Sequence, residues 1–248
     1  MEHSTIINLM NKPYLVTVAS RTEGVPRFAE SLKWVLPQVD SISVQFKPFI
    51  PELPAYKQID EPYCGNMKRF DHVPKLDEGR FMVFSDTDDV VFQRSLPDFE
   101  RMNYDVYLAN ENVKHKDSYW KGFMERNPYF NILSEKTIYN GGLFAMRYGT
   151  FKKMMKFYEM HKVWVKTPED MGSADQMLFN LFFAKTPEYQ VYNGLEVFCP
   201  LYNNYDNGLL TKNKGLFVLK DGRVPVAVHA NGNNKEVLNA GKKANKKT

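Results

Sequence analysis

Three acidic residues follow an apolar run in the middle of the chain. The run covers residues 81–84, and the acids are Asp86, Asp88 and Asp89. Side chains alternate along an extended backbone, so Asp86 and Asp88 should project to the same side. Neighbouring carboxylates repel each other unless a cation lies between them, and hard divalent cations favour oxygen ligands. The spacing therefore indicates a metal site for a phosphorylated substrate; the structural alternative is a solvated loop or a helix cap.

The apolar run predicts the element that would hold these acids. Residues 81–84 are Phe, Met, Val and Phe, and Gly79 lies just upstream. A short run of large apolar residues is typical of a strand that is buried on both faces, at the centre of a parallel sheet. Ligands of open α/β sheets bind at the carboxyl ends of the strands, which is where the acids would lie.

The composition is that of an ordinary globular protein. The 248 residues are enough for one large α/β domain, and 43% hydrophobic with 25% charged residues is an average balance. No apolar run is long enough to span a membrane, and the N-terminus lacks the regions of a signal peptide. Cys64 and Cys199 are far apart and lack metal-ligand spacing. We therefore expect a cytoplasmic protein without disulfides.

The chain shows no internal repeat and no second-domain boundary. We expect a single domain over residues 1–236 and a basic, disordered tail over residues 237–248. The net charge of +4 is mild, and part of it lies in that tail. Charge alone therefore gives no argument for nucleic-acid binding.

Hydrophobic periodicity predicts a strand–helix–strand opening. Strands are expected over residues 14–19 and 41–46, joined by a helix from Pro26 to about Leu36. Residues 110–136 are polar and aromatic, which is typical of a lid or substrate loop, or else of a helical cover over the sheet. Residues 189–228 alternate short apolar pieces with turns and predict short antiparallel strands.

Other residues of possible chemistry follow at intervals. Lys68 and Arg69 precede the acidic strand in a short predicted helix. They could reach a diphosphate, Lys68 as a point charge and Arg69 through two donors of its planar guanidinium group. Alternatively, they could form a solvated helix face. Gly141 and Gly142 interrupt a strand predicted over residues 137–146. Paired glycines weaken a strand, so they indicate a bulge or the close approach of a ligand.

A predicted helix start carries Asp170, Asp175 and Gln176. Ser173 and Gln176 have the spacing of a capping box, and an acid such as Asp175 is stabilised at a helix start by the helix dipole. Both observations give a structural alternative to a catalytic role. His229 lies just beyond the last apolar run. A lone histidine at the end of a strand can have a purely structural role instead of a functional one.

Four local patterns together resemble a known family. They are Asp86-Thr87-Asp88, Asn140-Gly141-Gly142, Asp175-Gln176 and His229-x-x-Gly232-x-x-Lys235. In this order, over residues 14–235, they are similar to the motifs of GT-A glycosyltransferases, and of glycosyltransferase family 8 (the glycogenin and bacterial galactosyltransferase type) in particular. The chain departs from that family at Glu236-Val237, where Pro-Trp is usual.

The resemblance implies a fold and a cofactor. The fold would be a GT-A (Rossmann-like) α/β domain with a mixed, mostly parallel central sheet flanked by helices. Asp86, Asp88 and His229 would hold Mn²⁺, or Mg²⁺ less well, beneath the diphosphate of a nucleotide sugar, with UDP as the expected nucleotide.

The resemblance also implies residue roles. Residues implied to contact the donor nucleotide and its phosphates are Ser20, Arg21, Lys68, Asp71, Asp86, Thr87, Gly232 and Lys235. Residues implied to contact the sugar or the acceptor are Asn140, Gly141, Gly142, Asp175 and Gln176. In a retaining enzyme Asp175 would bind sugar hydroxyls, whereas in an inverting one Asp175 or Asp170 would be the catalytic base.

The leading hypothesis is thus a metal-dependent glycosyltransferase that moves a sugar from a UDP-sugar to an acceptor hydroxyl, with retention favoured. One alternative keeps this chemistry but has a hydroxylated base in DNA as the acceptor. Another is a sugar-1-phosphate nucleotidyltransferase, although residues 20–24 are not a Gly-rich phosphate loop. A non-catalytic sugar-binding protein is the last alternative.

Overall fold

The computed structural model describes residues 12–19, 25–47, 57–62, 68–118, 121–125, 128–162, 168–230 and 235–239. The predictions made for Ser20, Arg21 and Gly232 lie outside these residues. The side chains of Lys68, Asp170 and Lys235 are likewise outside the described part, although their backbone positions are given.

The structure describes strands and helices along the whole of these ranges. The strands are β1 (Tyr14–Ala19), β2 (Asp40–Lys47), β3 (Lys57–Pro62), β4 (Phe81–Asp86), β5 (Val90–Phe92), β6 (Val106–Lys114), β7 (Thr137–Arg147), β8 (Val191–Tyr192), β9 (Phe198–Pro200), β10 (Leu210–Asn213), β11 (Leu216–Leu219) and β12 (Ala227–His229). The helices are α1 (Val25–Ser31), α2 (Lys68–Asp71), α3 (Phe99–Met102), α4 (Lys121–Met124), α5 (Phe130–Leu133), α6 (Tyr148–His161), α7 (Pro168–Lys185) and α8 (Lys235–Asn239). Among the helices described, none has the length and apolarity needed to cross a bilayer.

Seven strands form the central sheet, in the order β3-β2-β1-β4-β7-β6-β8. The pairs β1–β2, β1–β4, β2–β3 and β6–β8 are parallel, whereas β7 runs antiparallel to both β4 and β6. The sheet is therefore mixed and mostly parallel, as predicted. A three-stranded sheet, β5-β12-β9, and the antiparallel hairpin β10–β11 lie beside it.

The central strand β4 is buried on both faces, as predicted. Its neighbours are not both parallel to it, because β1 is parallel and β7 is antiparallel. Met82 and Phe84 pack into one hydrophobic layer, together with side chains of α6 and α7. Phe81 and Val83 pack into the opposite layer, together with side chains of α1 and α3. Each fully buried side chain of this kind contributes about 1.5–3 kcal/mol, so β4 is held firmly and its carboxyl end is well placed to position a site.

Several predicted elements need correction. The helix predicted to reach about Leu36 ends at Ser31, where two 3-10 turns, Leu32–Trp34 and Leu36–Gln38, replace it. In the segment 189–228 only β10 and β11 form an antiparallel hairpin, because β8 adds to β6 and β9 adds to β12 in parallel. The error in the strands arises because pairing with distant strands overrides the local pattern.

The C-terminal helix runs past the predicted start of the tail. Helix α8 covers Lys235–Asn239, and Leu238 is buried against Leu210 and Val228. Two adjacent apolar residues, Val237 and Leu238, in an otherwise polar segment give little periodic signal, so the sequence did not indicate this contact.

A buried histidine lies next to Asn180 of α7. His115 opens the 3-10 turn His115–Asp117, and its side chain is completely buried. Burial lowers the pKa of His115 to about 4, although a hydrogen bond with Asn180 opposes the shift. The folded protein therefore holds this imidazole in its neutral form.

We expect His115 to make the fold sensitive to acid. In the unfolded chain a histidine has a pKa of about 6.5, so below that pH the unfolded state binds a proton that the native state rejects. The contribution of His115 to stability is full above pH 6.5. It falls by about 1.4 kcal/mol per pH unit as the pH drops, and it levels off near pH 4.

Chemical denaturation between pH 4 and pH 8 measures this effect. His115→Gln removes the titrating group, so its stability should depend less steeply on pH than that of the native chain. Equal slopes for the two proteins would contradict the assignment.

Candidate metal centre and active site

Asp86 is the last residue of β4, at the carboxyl edge of the parallel strands. The next residue, Thr87, is completely buried, and its hydroxyl donates a hydrogen bond to the Val18 carbonyl oxygen at 3.2 Å. This bond ties the turn after β4 to the end of β1. The Thr87 side chain thus supports the turn from inside the protein and does not face open space, where a nucleotide would bind.

The pairing of β12 with β5 brings His229 to the same turn. The two short strands are antiparallel, with His229 opposite Val90. The Ala230 N–H donates a hydrogen bond to the Asp89 carbonyl oxygen at 2.8 Å, which continues the pairing by one residue. His229 Nε2 consequently lies 3.0 Å from Asp89 Oδ1.

Three side chains form a cluster with the donor set of a metal site. The candidate ligand atoms of Asp86, Asp89 and His229 all lie within 4.8 Å of one another. His229 is 4% exposed, and its Nδ1 has no hydrogen-bond partner within the described ranges. The Asp86 side chain keeps 19% of its surface exposed, so a small ligand can approach it.

The structure therefore brings together two of the three predicted metal ligands, Asp86 and His229, and adds Asp89. The prediction assumed that the backbone stays extended to Asp88, but β4 ends at Asp86 and residues 87–89 bend. Asp88 is half-buried and near enough for its charge to raise the pKa of both Asp86 and His229. It is outside the cluster of three, and its role as a ligand stays a prediction.

Gly142 lies against the cluster. A Cβ atom placed there would be 2.5 Å from Asp86 Oδ2 and 2.5 Å from His229 Cε1, far inside van der Waals contact. At Gly141 the nearest atom to such a Cβ would be Arg69 Nη2, at an ordinary 3.5 Å. Gly142 therefore has to be a glycine, because a side chain there would clash with Asp86 and His229, whereas Gly141 has room for a Cβ atom.

The same segment contains a bulge. Along the β6–β7 pair the register passes from Leu108 opposite Phe144 to Ala109 opposite Asn140. The Asn140 side chain stabilises this irregularity, because its Oδ1 accepts from the Gly142 N–H at 2.7 Å and its Nδ2 donates to the buried Glu111 at 2.8 Å. The bulge offered as one explanation for the paired glycines is present. At Gly142 the close neighbours are the protein's own side chains, and the approach of a ligand stays a prediction.

Arg69 connects the cluster to α7. Its Nη1 donates to both carboxylate oxygens of Asp86, at 2.8 and 2.7 Å. Its Nη2 donates to Asp175 Oδ2 at 2.8 Å and to the Gly141 carbonyl oxygen at 3.1 Å. Arg69 is 5% exposed, so the interpretation of this residue as part of a solvated helix face is wrong. Its fork binds carboxylates of the protein.

In this site, burial and the charge of an oppositely charged partner shift the pKa of each ionisable group in opposite directions. Burial raises the pKa of Asp86 to about 6, against the lowering effect of Arg69 and with a further rise from Asp89. Burial also raises the pKa of Asp175, and Arg69 again opposes the shift. Burial lowers the pKa of His229, but the charge of Asp89, its contact with the ring and the charge of Asp86 outweigh burial, so the net shift is upward.

The predicted helix start at residues 173–176 lies inside α7, which begins at Pro168. The capping-box interpretation of Ser173 and Gln176 is therefore wrong. Gln176 contacts the bulge in β7: its Oε1 accepts from the Gly141 N–H at 3.0 Å, and its Nε2 donates to the Tyr139 carbonyl oxygen.

The remaining predicted contact residues are less central. Asp71 ends α2 and is exposed. Glu111 and Asp89 are buried acids near the predicted residues that the sequence analysis did not single out for the site. No local pattern in the sequence marks Glu111. Asp89 joins the cluster because the β5–β12 pairing brings His229 next to it.

Neither the models of known protein families nor the curated proteins give a match to this chain.

The two glycines give a matched test of the geometry. Gly142→Ala would force Asp86 and His229 apart, and overpacking of this kind costs about 1–3 kcal/mol. Gly141→Ala meets only ordinary contacts and should cost less than about 1 kcal/mol. Urea denaturation of both variants measures the difference. A Gly142→Ala protein as stable as the Gly141→Ala protein would contradict the close packing.

Arg69 provides a second test. Arg69→Met would leave Asp86 and Asp175 buried without their cation, and breaking a buried pair in this way lowers the free energy of unfolding by about 3–5 kcal/mol. Adding Asp175→Asn to Arg69→Met removes one stranded charge and should recover part of the loss. Lys152→Met, which breaks an exposed pair with Glu78, is the control and should leave stability nearly unchanged. Additive losses in the double variant would show that Arg69 and Asp175 are independent.

Proposed function

We propose that this protein is a metal-dependent glycosyltransferase of the GT-A type, which transfers a sugar from a UDP-sugar to an acceptor hydroxyl. The observation that carries the proposal is the meeting of Asp86, Asp89 and His229 at the carboxyl edge of the central sheet. The β5–β12 pairing brings an imidazole from near the end of the chain to acids from its middle. The resulting donor set is one that a divalent cation would bind.

The residues present fit a divalent ion. Two carboxylates and one imidazole suit Mn²⁺, and Mg²⁺ less well. His229 Nδ1 is buried and has no hydrogen-bond partner among the described residues, and buried polar atoms are rarely left unsatisfied. When bound, the ion would supply positive charge to a diphosphate leaving group.

The surrounding residues would keep these side chains in place. Arg69 donates to both oxygens of Asp86, which orients the carboxylate. Gly142 leaves the space in which Asp86 and His229 approach each other. Preorganisation of this kind matters because a site must hold its charged groups close to their working positions before the substrate binds.

Contacts among the motif segments also support the proposal. Arg69 bonds Asp86, Asp175 and the Gly141 carbonyl, and Gln176 accepts from the Gly141 N–H. Two of the four patterns behind the family resemblance are therefore joined by a direct hydrogen bond, between Gly141 and Gln176. Arg69 links the third pattern, at Asp86, to both of them. The fourth is linked through the 4.8 Å cluster. The mixed, mostly parallel sheet agrees with the fold that the resemblance implies.

The state of Asp175 favours retention of configuration. Its carboxylate is 4% exposed and is paired with Arg69 at 2.8 Å, so it is a poor candidate for a free base. In the proposed reaction the bond from the sugar to the diphosphate breaks and the bond to the acceptor oxygen forms on the same face. The acceptor proton passes to the leaving phosphate, and no protein base is needed.

A thermal-shift panel of nucleotide sugars, with and without Mn²⁺, tests the proposal. At a concentration of 100 times Kd, a ligand that binds only the native state raises Tm by about 5–10 °C in a chain of this size. We expect a UDP-sugar to give such a shift only when Mn²⁺ is present. His229→Gln should abolish the metal-dependent part.

Two results would contradict the proposal. The first is the absence of a shift for every nucleotide sugar in the presence of Mn²⁺. The second is a shift of equal size in the His229→Gln protein, because the ion would then bind elsewhere.

A further inference from the structure

A cavity lies beside α1, away from the candidate metal centre. Its volume is about 290 Å³, and it is bounded by α1 with the 3-10 turn that follows, by β5, and by the β10–β11 hairpin. None of Asp86, Asp89 and His229 lines it. The cavity is therefore separate from the candidate metal centre.

The walls of this cavity are rich in positive charge. The cationic side chains that line it are Arg27, Lys33 and Lys212, and the one carboxylate in its lining is Glu30. The wall thus has an excess of two positive charges. Lys212 Nζ donates to the carbonyl oxygens of Val237 and Leu238 at 3.0 and 3.2 Å. Within the described ranges it forms no ion pair with a carboxylate.

Two of these cations lie close together in a partly buried wall. Burial lowers the pKa of Lys212, and the charge of Arg27 lowers it further. Burial lowers the pKa of Arg27 as well, against the opposing charges of Asp89 and Asp88. The charge of Arg27 is thus partly balanced by Asp89 and Asp88. Lys212 is still repelled by Arg27, and an anion bound in the cavity at Lys212 would offset this repulsion.

The rim of the cavity is apolar and aromatic. Trp34 is 44% exposed and Leu216 is 41% exposed, and both line the cavity. Lys33 Nζ lies 5.6 Å from the centre of the Trp34 ring, and Lys212 Nζ lies 5.4 Å from the centre of the Phe217 ring. Exposed apolar side chains beside a charged cavity are typical of a site for a ligand that has both an apolar part and a charged part.

We propose that this cavity binds a small organic dianion, a phosphate monoester that carries an aromatic or apolar group. The excess of two positive charges matches a phosphate monoester better than a carboxylate, because charge-assisted hydrogen bonds are the strong ones. The Trp34 ring and Leu216 would cover the organic group. The volume, near the lower limit of about 300 Å³ for ligand pockets, fits a small molecule and not a polymer.

Tryptophan indole signals provide a direct measurement. The chain has three tryptophans, Trp34, Trp120 and Trp164, so a ¹⁵N-labelled sample gives three indole signals and Trp34→Phe identifies the relevant one. Phenyl phosphate is the probe; benzoate, phenol and inorganic phosphate are compared with it. We expect a saturable shift of the Trp34 signal, with phenyl phosphate binding most tightly and phenol most weakly.

Variants then locate the site. Lys212→Met and, separately, Lys33→Gln should each weaken phenyl phosphate binding by about tenfold, because each removes a charged contact. Lys33 is exposed, so its variant keeps the test valid if Lys212→Met disturbs the fold. Lys220→Gln, at an exposed lysine outside the lining, is the matched control and should bind normally. His229→Gln should also bind normally, because the cavity is separate from the metal centre.

Several results of these experiments would overturn the proposal or one part of it. A Trp34 signal that phenyl phosphate leaves unmoved overturns the proposal, as does phenol binding as tightly as phenyl phosphate. Tighter binding of benzoate would overturn the choice of phosphate. Normal binding by both Lys33→Gln and a folded Lys212→Met would remove the charged wall from the site, and loss of binding in His229→Gln would move the ligand to the metal centre.

Discussion

A short antiparallel pairing, β5 with β12, determines which side chains meet at the candidate metal centre. It joins a segment that leaves the acidic turn to a segment near the end of the chain, with His229 opposite Val90. The Ala230 N–H adds a bond to the Asp89 carbonyl oxygen. Three residues of β-strand on each side are little on their own, but β12 also pairs with β9 and packs among buried side chains. The position of the imidazole beside the acids follows from this pairing.

The cost of gathering acids at that point explains much of the surrounding structure. Burial raises the pKa of Asp86 and of Asp175, which means that their charged forms are less stable there than in water. Arg69 offsets part of this cost by bonding both carboxylates, and it ties β4 to the bulge in β7 and to α7. A single guanidinium can do this because its donors are arranged in a rigid fork. The same ion pairs that stabilise the fold thus fix the orientation of the side chains that would hold a metal.

Sequence patterns predicted the parts of this structure that depend on local order. The apolar run before Asp86 predicted a buried strand, and His229 was expected beside Asp86. Of the two explanations for the paired glycines, the bulge is present. The parts that depend on distant pairing were missed. Asp89 replaces Asp88 in the cluster because the chain bends after Asp86, and alternation holds only for an extended backbone. Gln176 had the spacing of a cap, yet α7 begins earlier and Gln176 bonds β7. Arg69 looked like a surface residue because nothing in its neighbours reveals that Asp175, far along the chain, faces it.

We propose that Asp86, Asp89 and His229 share one divalent cation. Anomalous scattering from crystals of the protein soaked in Mn²⁺, recorded near the manganese absorption edge, locates that ion without any assumption about the reaction. We expect one strong peak within bonding distance, about 2.0–2.4 Å, of a carboxylate oxygen of Asp86 and a ring nitrogen of His229. A well-ordered map with no peak there, or with its only peak on other residues, would show that these side chains do not form a metal site.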